Sequence, residues 1–239
     1  MFHTLFYEPI YNLLVIVLTY TPLHDIGAAI IIVTLLVKAL LLPLNLSALR
    51  SQYLMKRLEP EMKKIKELQK TDAALASKQM MDLYKKEKIN PISSILAVII
   101  QIPVFFALYF VFSKGLHVDL ESSYSFVHFP EILHTKAFGL FDVTQKNIVI
   151  AILAGFSSYL LARRQTMSMT SNKQAHEETF QDHFMKSMKV QLLYVLPVII
   201  AFSAAVLPSA LGLYWFISNL IGYAQDVYMK KKLSHLQTI

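Results

Sequence analysis

The chain of 239 residues is 55% hydrophobic with a mean hydropathy of +0.46, which excludes an ordinary soluble domain, whose surface needs more polar side chains. It holds no cysteine, so structural disulfides, thiolate metal sites and lipid attachment through cysteine are excluded. The formal net charge of +7 would suggest nucleic acid for a soluble protein; for a membrane protein it first suggests cytoplasmic loops near anionic lipid or RNA.

The start, MFHTLFYEPIYNLL, lacks the basic n-region of a secretory signal. The apolar stretch from Ile10 to Thr19, set between Pro9 and Pro22, is too short to span a bilayer. Residues 1–22 are therefore expected to form an outer interfacial amphipathic helix. Residues 23–49 read as the first span, an apolar run from Ile26 to Leu44 broken by Thr34, Lys38 and Pro43. A lysine near the centre of a spanning helix costs about 2.5–3.5 kcal/mol on insertion scales, so Lys38 needs a reason.

Residues 50–90 read as a cytoplasmic helical hairpin. Leu54, Leu58, Met62, Ile65 and Leu68 recur at helical spacing in LMKRLEPEMKKIKELQ. Thr71 or Asp72 is placed to cap a second helix over AALASKQMMDLYKK, and Asn90-Pro91 ends it. Forty residues between adjacent spans is far more than a connection needs.

The second span is expected over 91–113, an outer loop over 114–146, the third span over 147–163 and a cytoplasmic loop over 164–190. The fourth span follows over 191–208, the fifth over 209–228, and a basic cytoplasmic tail over 229–239. The apolar cores of the third and fourth spans, Ile148 to Ala162 and Leu192 to Leu207, are only 15 and 16 residues long, against the roughly 20 that ~30 Å of hydrocarbon requires. Either flanking residues complete them or the bilayer thins locally. Segments 50–92, 163–190 and the tail hold nineteen lysines and arginines, against three in 113–147 and none before the first span. This places the N-terminus outside and the C-terminus in the cytoplasm, as five spans require.

Several spans present a polar stripe. Thr34, Lys38 and Asn45 share one face of a continuous helix, as do Ser94 and Gln101 of the second span. Tyr214, Ser218 and Gln225 form one stripe of the fifth span, with Trp215, Asn219 and Asp226 beside it; the third adds Ser157 and Ser158. Such groups avoid lipid by facing a bundle interior or a wet cavity, so the stripes imply a shared hydrophilic interior with Lys38 in its wall. Snorkelling of Lys38 to the headgroups is the alternative.

All eight histidines lie outside the five runs, which excludes a membrane-embedded histidine metal site or a serine–histidine dyad. Gly155-Phe156-Ser157-Ser158 is faintly similar to an intramembrane serine protease but has no base to activate the serine. No phosphate-binding loop of the G-x-x-x-x-G-K-[ST] kind is present, so an enzyme is not expected. None of the ten methionines lies in a span. Met62 and Met80 suit the hairpin's own core, whereas Met81 and the loop residues Met167 and Met169 suit a surface that accepts varied apolar partners.

VKALLLPLN in the first span, LEPEMKKIKE in the hairpin, NPISSILAVIIQIPVFFALY in the second span and LPSALGLYWFISNL in the fifth together resemble the YidC/Oxa/Alb membrane protein insertases. The likeness runs from about residue 6 to residue 230, and the order of elements agrees. It implies an all-α polytopic protein with five transmembrane helices around a hydrophilic groove open to cytoplasm and lipid, in a bacterial inner membrane. The groove residues are then Thr34, Lys38, Asn45, Ser94, Gln101, Tyr214, Trp215, Ser218 and Asn219. Phe105, Phe106, Tyr109 and Phe216 line the surface along which a substrate slides, and Met80, Met81, Met167 and Met169 serve cytoplasmic recruitment. The family carries an arginine where this chain has Lys38, so charge is kept and the bidentate fork lost. As an expectation, the core stands without a large outer domain ahead of it, and the tail YMKKKLSHLQTI reads as short beside those of members that bind ribosomes through it. The implied partners are nascent membrane proteins, the ribosome and targeting machinery, and the phospholipid bilayer. The protein is expected to act as a monomer, alone or beside the Sec translocon, without a cofactor. A small transporter and a structural assembly factor are the competing classes; the missing repeat symmetry and the long hairpin speak against the transporter.

Overall fold

A computed structural model describes residues 1–21, 24–69, 71–90, 92–113, 122–128, 134–167 and 190–235, with the backbone alone at 66, 94, 95, 98, 167, 234 and 235. A π-helical turn, His3–Tyr7, leads into α1 (Glu8–Tyr20). Then come α2 (Ile26–Leu40), α3 (Leu42–Arg57), α4 (Glu59–Leu68), α5 (Ala73–Lys86) and α6 (Ile92–Ser113). A two-residue hairpin, β1 (Lys136–Ala137) and β2 (Phe141–Asp142), precedes α7 (Ile148–Met167). A second π-helical turn, Gln191–Val195, opens α8 (Leu196–Val206), and α9 (Ser209–His235) follows.

The apolar run expected as one straight first span is two helices. α2 stops at Leu40 and α3 restarts at Leu42, with a bend of 61° between them. Pro43 in the first turn of α3 supplies the reason: it has no N–H to donate back, and its ring crowds the preceding turn. Among the described residues no single helix is long and apolar enough to cross a membrane, and α2 with α3 meets that test only as a bent pair.

The main core joins α1, α2, α6 and α9. Tyr11, Leu14 and Leu18 of α1 pack with Ile26, Ile30 and Val33 of α2, Ala107, Leu108, Val111 and Phe112 of α6, and Leu211 and Tyr214 of α9. α1 is thus covered by protein over much of its length. A second layer of small residues joins α7 to α8 and α9: Ala151, Ala154 and Ala204 are buried. A Cβ on Gly155 would lie 2.5 Å from the Cβ of Ala201, so these backbones approach as closely as glycine permits.

Polar ties close one end of the bundle. Asp25 caps α2, accepting from Ala28 N–H at 2.8 Å through Oδ1, while Oδ2 accepts from Phe138 N–H at 2.6 Å. The first N–H groups of α9, which have no partner inside the helix, donate to the loop before α7: Ser209 to Gln145 O at 2.9 Å and Ala210 to Val143 O at 3.0 Å. At the opposite end α4 and α5 fold back on each other. Leu54, Leu58, Leu83 and Ile89 are buried there, with Met55, Met62, Ile65 and Tyr84 against them. Asp72, rather than Thr71, caps α5 by accepting from Leu75 N–H at 2.9 Å.

The outward faces are apolar. Ile92, Leu96, Ile99, Ile102, Phe106 and Phe110 form an exposed stripe along α6, and Val198, Ile199, Phe202 and Val206 another along α8, with Phe202 68% exposed. Water does not tolerate apolar surface of this extent on a monomer; hydrocarbon does.

Candidate functional site

Three helices meet at Lys38. The residue lies in the last turn of α2, three positions before the break, and is half-buried. Its Nζ donates to Oε1 of Gln101 on α6 at 3.2 Å. The Gln101 amide in turn donates through Nε2 to the hydroxyl of Tyr214 on α9. Tyr214 is 2% exposed and shares a further hydrogen bond with Ser218, one turn along the same helix. Lysine has only donors, so Gln101 must offer it the carbonyl oxygen, and this orients the amide toward Tyr214. The result is a four-residue polar relay, Lys38–Gln101–Tyr214–Ser218, inside an otherwise apolar packing of helices. One acceptor occupies one of the three ammonium N–H donors, and the remaining capacity suits an anionic or carbonyl oxygen.

Other residues expected at the groove sit elsewhere. Thr34 is buried and its hydroxyl donates to the carbonyl of Ile30 in its own helix at 2.6 Å. Asn45 lies past the bend on α3, so the face it would share with Lys38 on a straight helix is broken. Asn219 points to α7, donating to Ser157 Oγ at 3.2 Å and Ala154 O at 3.4 Å; it joins helices. The side chain of Ser94 lies outside the described residues, as do that of Met167 and the whole of Met169.

The aromatic residues form a wall beside the relay. Phe105 stacks on Trp215 with centroids 5.0 Å apart and 17° between planes, and touches Phe106 edge-on at 5.7 Å. Phe106 is 45% exposed; Phe105, Tyr109 and Phe216 are half-buried. On the hairpin Met80 is half-buried and Met81 is 57% exposed.

Sequence reasoning missed two buried polar clusters. Asp226 on α9 is 1% exposed, receives the Arg164 Nε of α7, and accepts from the Tyr53 hydroxyl of α3 at 2.9 Å. The Arg164 guanidinium also lies over the ring of Tyr223, 5.1 Å from its centroid. Asp226 already stood out as an acid flanking a polar stripe, but nothing in the spacing names partners 62 and 173 positions away. The other cluster centres on Asn12, the one polar side chain between Glu8 and Thr19 apart from a tyrosine hydroxyl.

The model of the family described as "60Kd inner membrane protein" matches residues 18–236. The membrane protein insertase YidC of Geotalea daltonii is 32% identical over 216 residues, covering 90% of this chain and 35% of that protein. The YidC of Magnetococcus marinus is 32% identical over 212 residues, covering 89% and 33% respectively. That of Francisella tularensis subsp. novicida is 33% identical over 202 residues, covering 84% and 31%. The chain thus spans about a third of the length of these curated relatives. With the family model covering nearly the whole chain and the motifs around Lys38, Gln101 and Tyr214 meeting at one polar relay, this protein belongs to the 60Kd inner membrane protein family, that of the YidC insertases.

Proposed function

We propose that the chain is the insertase core of a bacterial inner membrane protein, admitting nascent membrane proteins to the bilayer through a positively charged hydrophilic groove. The observation that carries this reading is the Lys38 ammonium, held by Gln101, which Tyr214 in turn orients, among helices whose outer faces are apolar. A single- or double-span client must move a short polar segment outward. A wet groove in the inner half of the bilayer lowers the desolvation cost of that segment, and Lys38 attracts acidic residues on it. Trp215 and Ser218 continue the groove along α9, Asn45 and Ser94 belong to its cytoplasmic side, and Thr34, bonded within α2, and Asn219, bonded to α7, belong to its frame. The client's apolar stretch slides over Phe105, Phe106, Tyr109 and Phe216 and leaves into lipid. Burial of that stretch drives the step, aided by the membrane potential on acidic residues, and no cofactor or catalysed bond change is needed.

In this reading the bent α2–α3 pair, α6, α7, α8 and α9 supply five spans, with the N-terminus outside and the C-terminus in the cytoplasm. Residues 1–22 lie at the outer face, and short third and fourth spans thin the membrane locally. The cytoplasmic hairpin makes first contact with ribosome, targeting machinery or client, its exposed Met81 and basic surface being the receptive elements. The core works as a monomer, alone or beside the Sec translocon.

The test is insertion of a single-span substrate with an acidic outer segment into vesicles holding the protein, its Lys38→Arg and Lys38→Ala variants, and a hairpin deletion. Loss with alanine and retention with arginine supports the groove charge. Equal insertion by Lys38→Ala overturns it.

A further inference from the structure

The polar cluster around Asp226 has no part in the groove, yet it fastens α3, the helix beyond the α2–α3 bend, to α9 and α7. α3 leaves the break at Leu41 and carries the hairpin at its far end. Tyr53 lies twelve residues along α3 from Leu41, about 18 Å at 1.5 Å per residue. A swing of about 10° at Leu41 moves the Tyr53 hydroxyl by about 3 Å on that lever, enough to break its 2.9 Å bond to Asp226. Asp226 is itself immobilised: Arg164 ties it to α7, and Asn219, two turns earlier on α9, is bonded to Ser157 and Ala154 of the same helix. One end of the latch thus lies on α3, which also meets the entry to α6 where Ser51 Oγ accepts from Asn90 N–H at 3.2 Å, and the other on a fixed helix pair.

We propose that the Tyr53–Asp226 hydrogen bond is a latch that sets the angle at Leu41, and with it the cytoplasmic aperture of the polar site at Lys38. Lys38 is three residues from the hinge on one side and Asn45 four on the other, so a change in angle alters what reaches the ammonium from the cytoplasm. Tyr53 and Asp226 are positioning residues that act through α3. The latch rests on the reading of the Lys38 site as a groove, but the two are separable by experiment.

The chain has no cysteine, so introduced thiols are unique. Spin labels on Arg50→Cys and Lys230→Cys, both exposed positions on α3 and α9, report the angle in the full chain held in lipid nanodiscs. In Tyr53→Phe the distance distribution is expected to lengthen and broaden, and a membrane-impermeant thiol reagent to modify an Asn45→Cys variant severalfold faster. Arg57→Gln, which removes the exposed ion pair to Glu87, serves as the control and leaves both readings unchanged. Asp226→Ala is expected to act like Tyr53→Phe if it folds; Tyr53→Phe decides the matter if it does not. An unchanged distance and labelling rate in Tyr53→Phe, even with a lowered melting point, overturns the latch. A shifted distance with full insertion by Lys38→Ala upholds the latch and rejects the groove.

Discussion

Asn12 and Tyr124 are joined across 112 positions of chain: the Asn12 carboxamide oxygen accepts from the Tyr124 N–H at 2.8 Å. The same side chain donates through Nδ2 to Ser122 O and Glu8 O, both at 2.8 Å, and is 1% exposed. One amide in α1 thus satisfies the backbone of a loop that packs on it. Asn12→Ala is expected to leave buried loop groups unpaired, at about 1–3 kcal/mol for each. Melting followed through Trp215, the only tryptophan, should show a midpoint several degrees lower in detergent. Protease should also nick the 122–128 loop faster. A variant as stable and as resistant as wild type sinks this assignment.

Gly155 and Ala201 make a second test of packing. With only 2.5 Å between a Cβ at 155 and the Ala201 Cβ, Gly155→Ala forces α7 and α8 apart. Overpacking of this kind costs about 1–3 kcal/mol. Ala201→Gly in the same chain should recover part of the loss, since it removes the colliding atom. Additive effects in the double mutant, measured by chemical denaturation in mixed micelles, would rule out direct contact.

Local chemistry was legible in the sequence where one turn of helix decides it. Asp72 before AALASKQMMDLYKK and the apolar spacing of Leu54, Leu58 and Ile65 are statements about neighbours three or four residues apart, and the helices there follow them. Pro43 is visible too, but in the sequence it only breaks an apolar run and does not announce a 61° bend. Pro103 inside α6, by contrast, lets that helix run on to Ser113, so proline alone does not say which helix breaks. The polar stripes indicated which side chains avoid lipid without saying where each one goes. Gln101 turns to Lys38 and Tyr214 to Gln101, Asn219 turns to α7, and Thr34 bonds the Ile30 carbonyl of its own helix. A stripe fixes the direction within one helix; the partner depends on the rotation of the next helix, which periodicity does not contain. The Arg164–Asp226–Tyr53 cluster was missed for the same reason.

Asp142, in β2 and outside the apolar helices, provides a pH dependence. Burial works against its charge. The hydrogen bonds donated by the Thr144 hydroxyl and N–H and by the Thr135 hydroxyl, with Lys136 beside it, nevertheless hold its carboxyl below the ordinary value of 3.8. A carboxyl depressed in the folded state contributes stability that is fully present above its unfolded pKa and is lost as pH falls through the folded one. The melting-point gap between wild type and Asp142→Asn should therefore hold steady from neutral pH down to about pH 5 and close in acid below the ordinary carboxylate range. A gap that persists unchanged at pH 2 would place the contribution of Asp142 in its shape rather than its charge.

Gln101 separates charge from shape at the relay. In Gln101→Glu a carboxylate oxygen still accepts from Lys38, and the Tyr214 hydroxyl can rotate to donate to the other oxygen, so the hydrogen-bonded frame survives. What changes is the field: the ammonium is neutralised by a charge on its nearest neighbour. Insertion of a substrate with an acidic outer segment should fall about tenfold, which is about 1.4 kcal/mol, while the melting point stays level or rises. Gln101→Leu has the opposite profile: it keeps the positive charge but strips Lys38 and Tyr214 of a partner, so stability falls while acidic substrates still insert. A basic outer segment, which the Lys38 charge is expected to repel in wild type, should be the one substrate that Gln101→Glu handles better. If both variants insert acidic and basic segments alike, the polarity of the relay matters and its charge does not, and Lys38 is a structural donor to Gln101 rather than an attractor of clients.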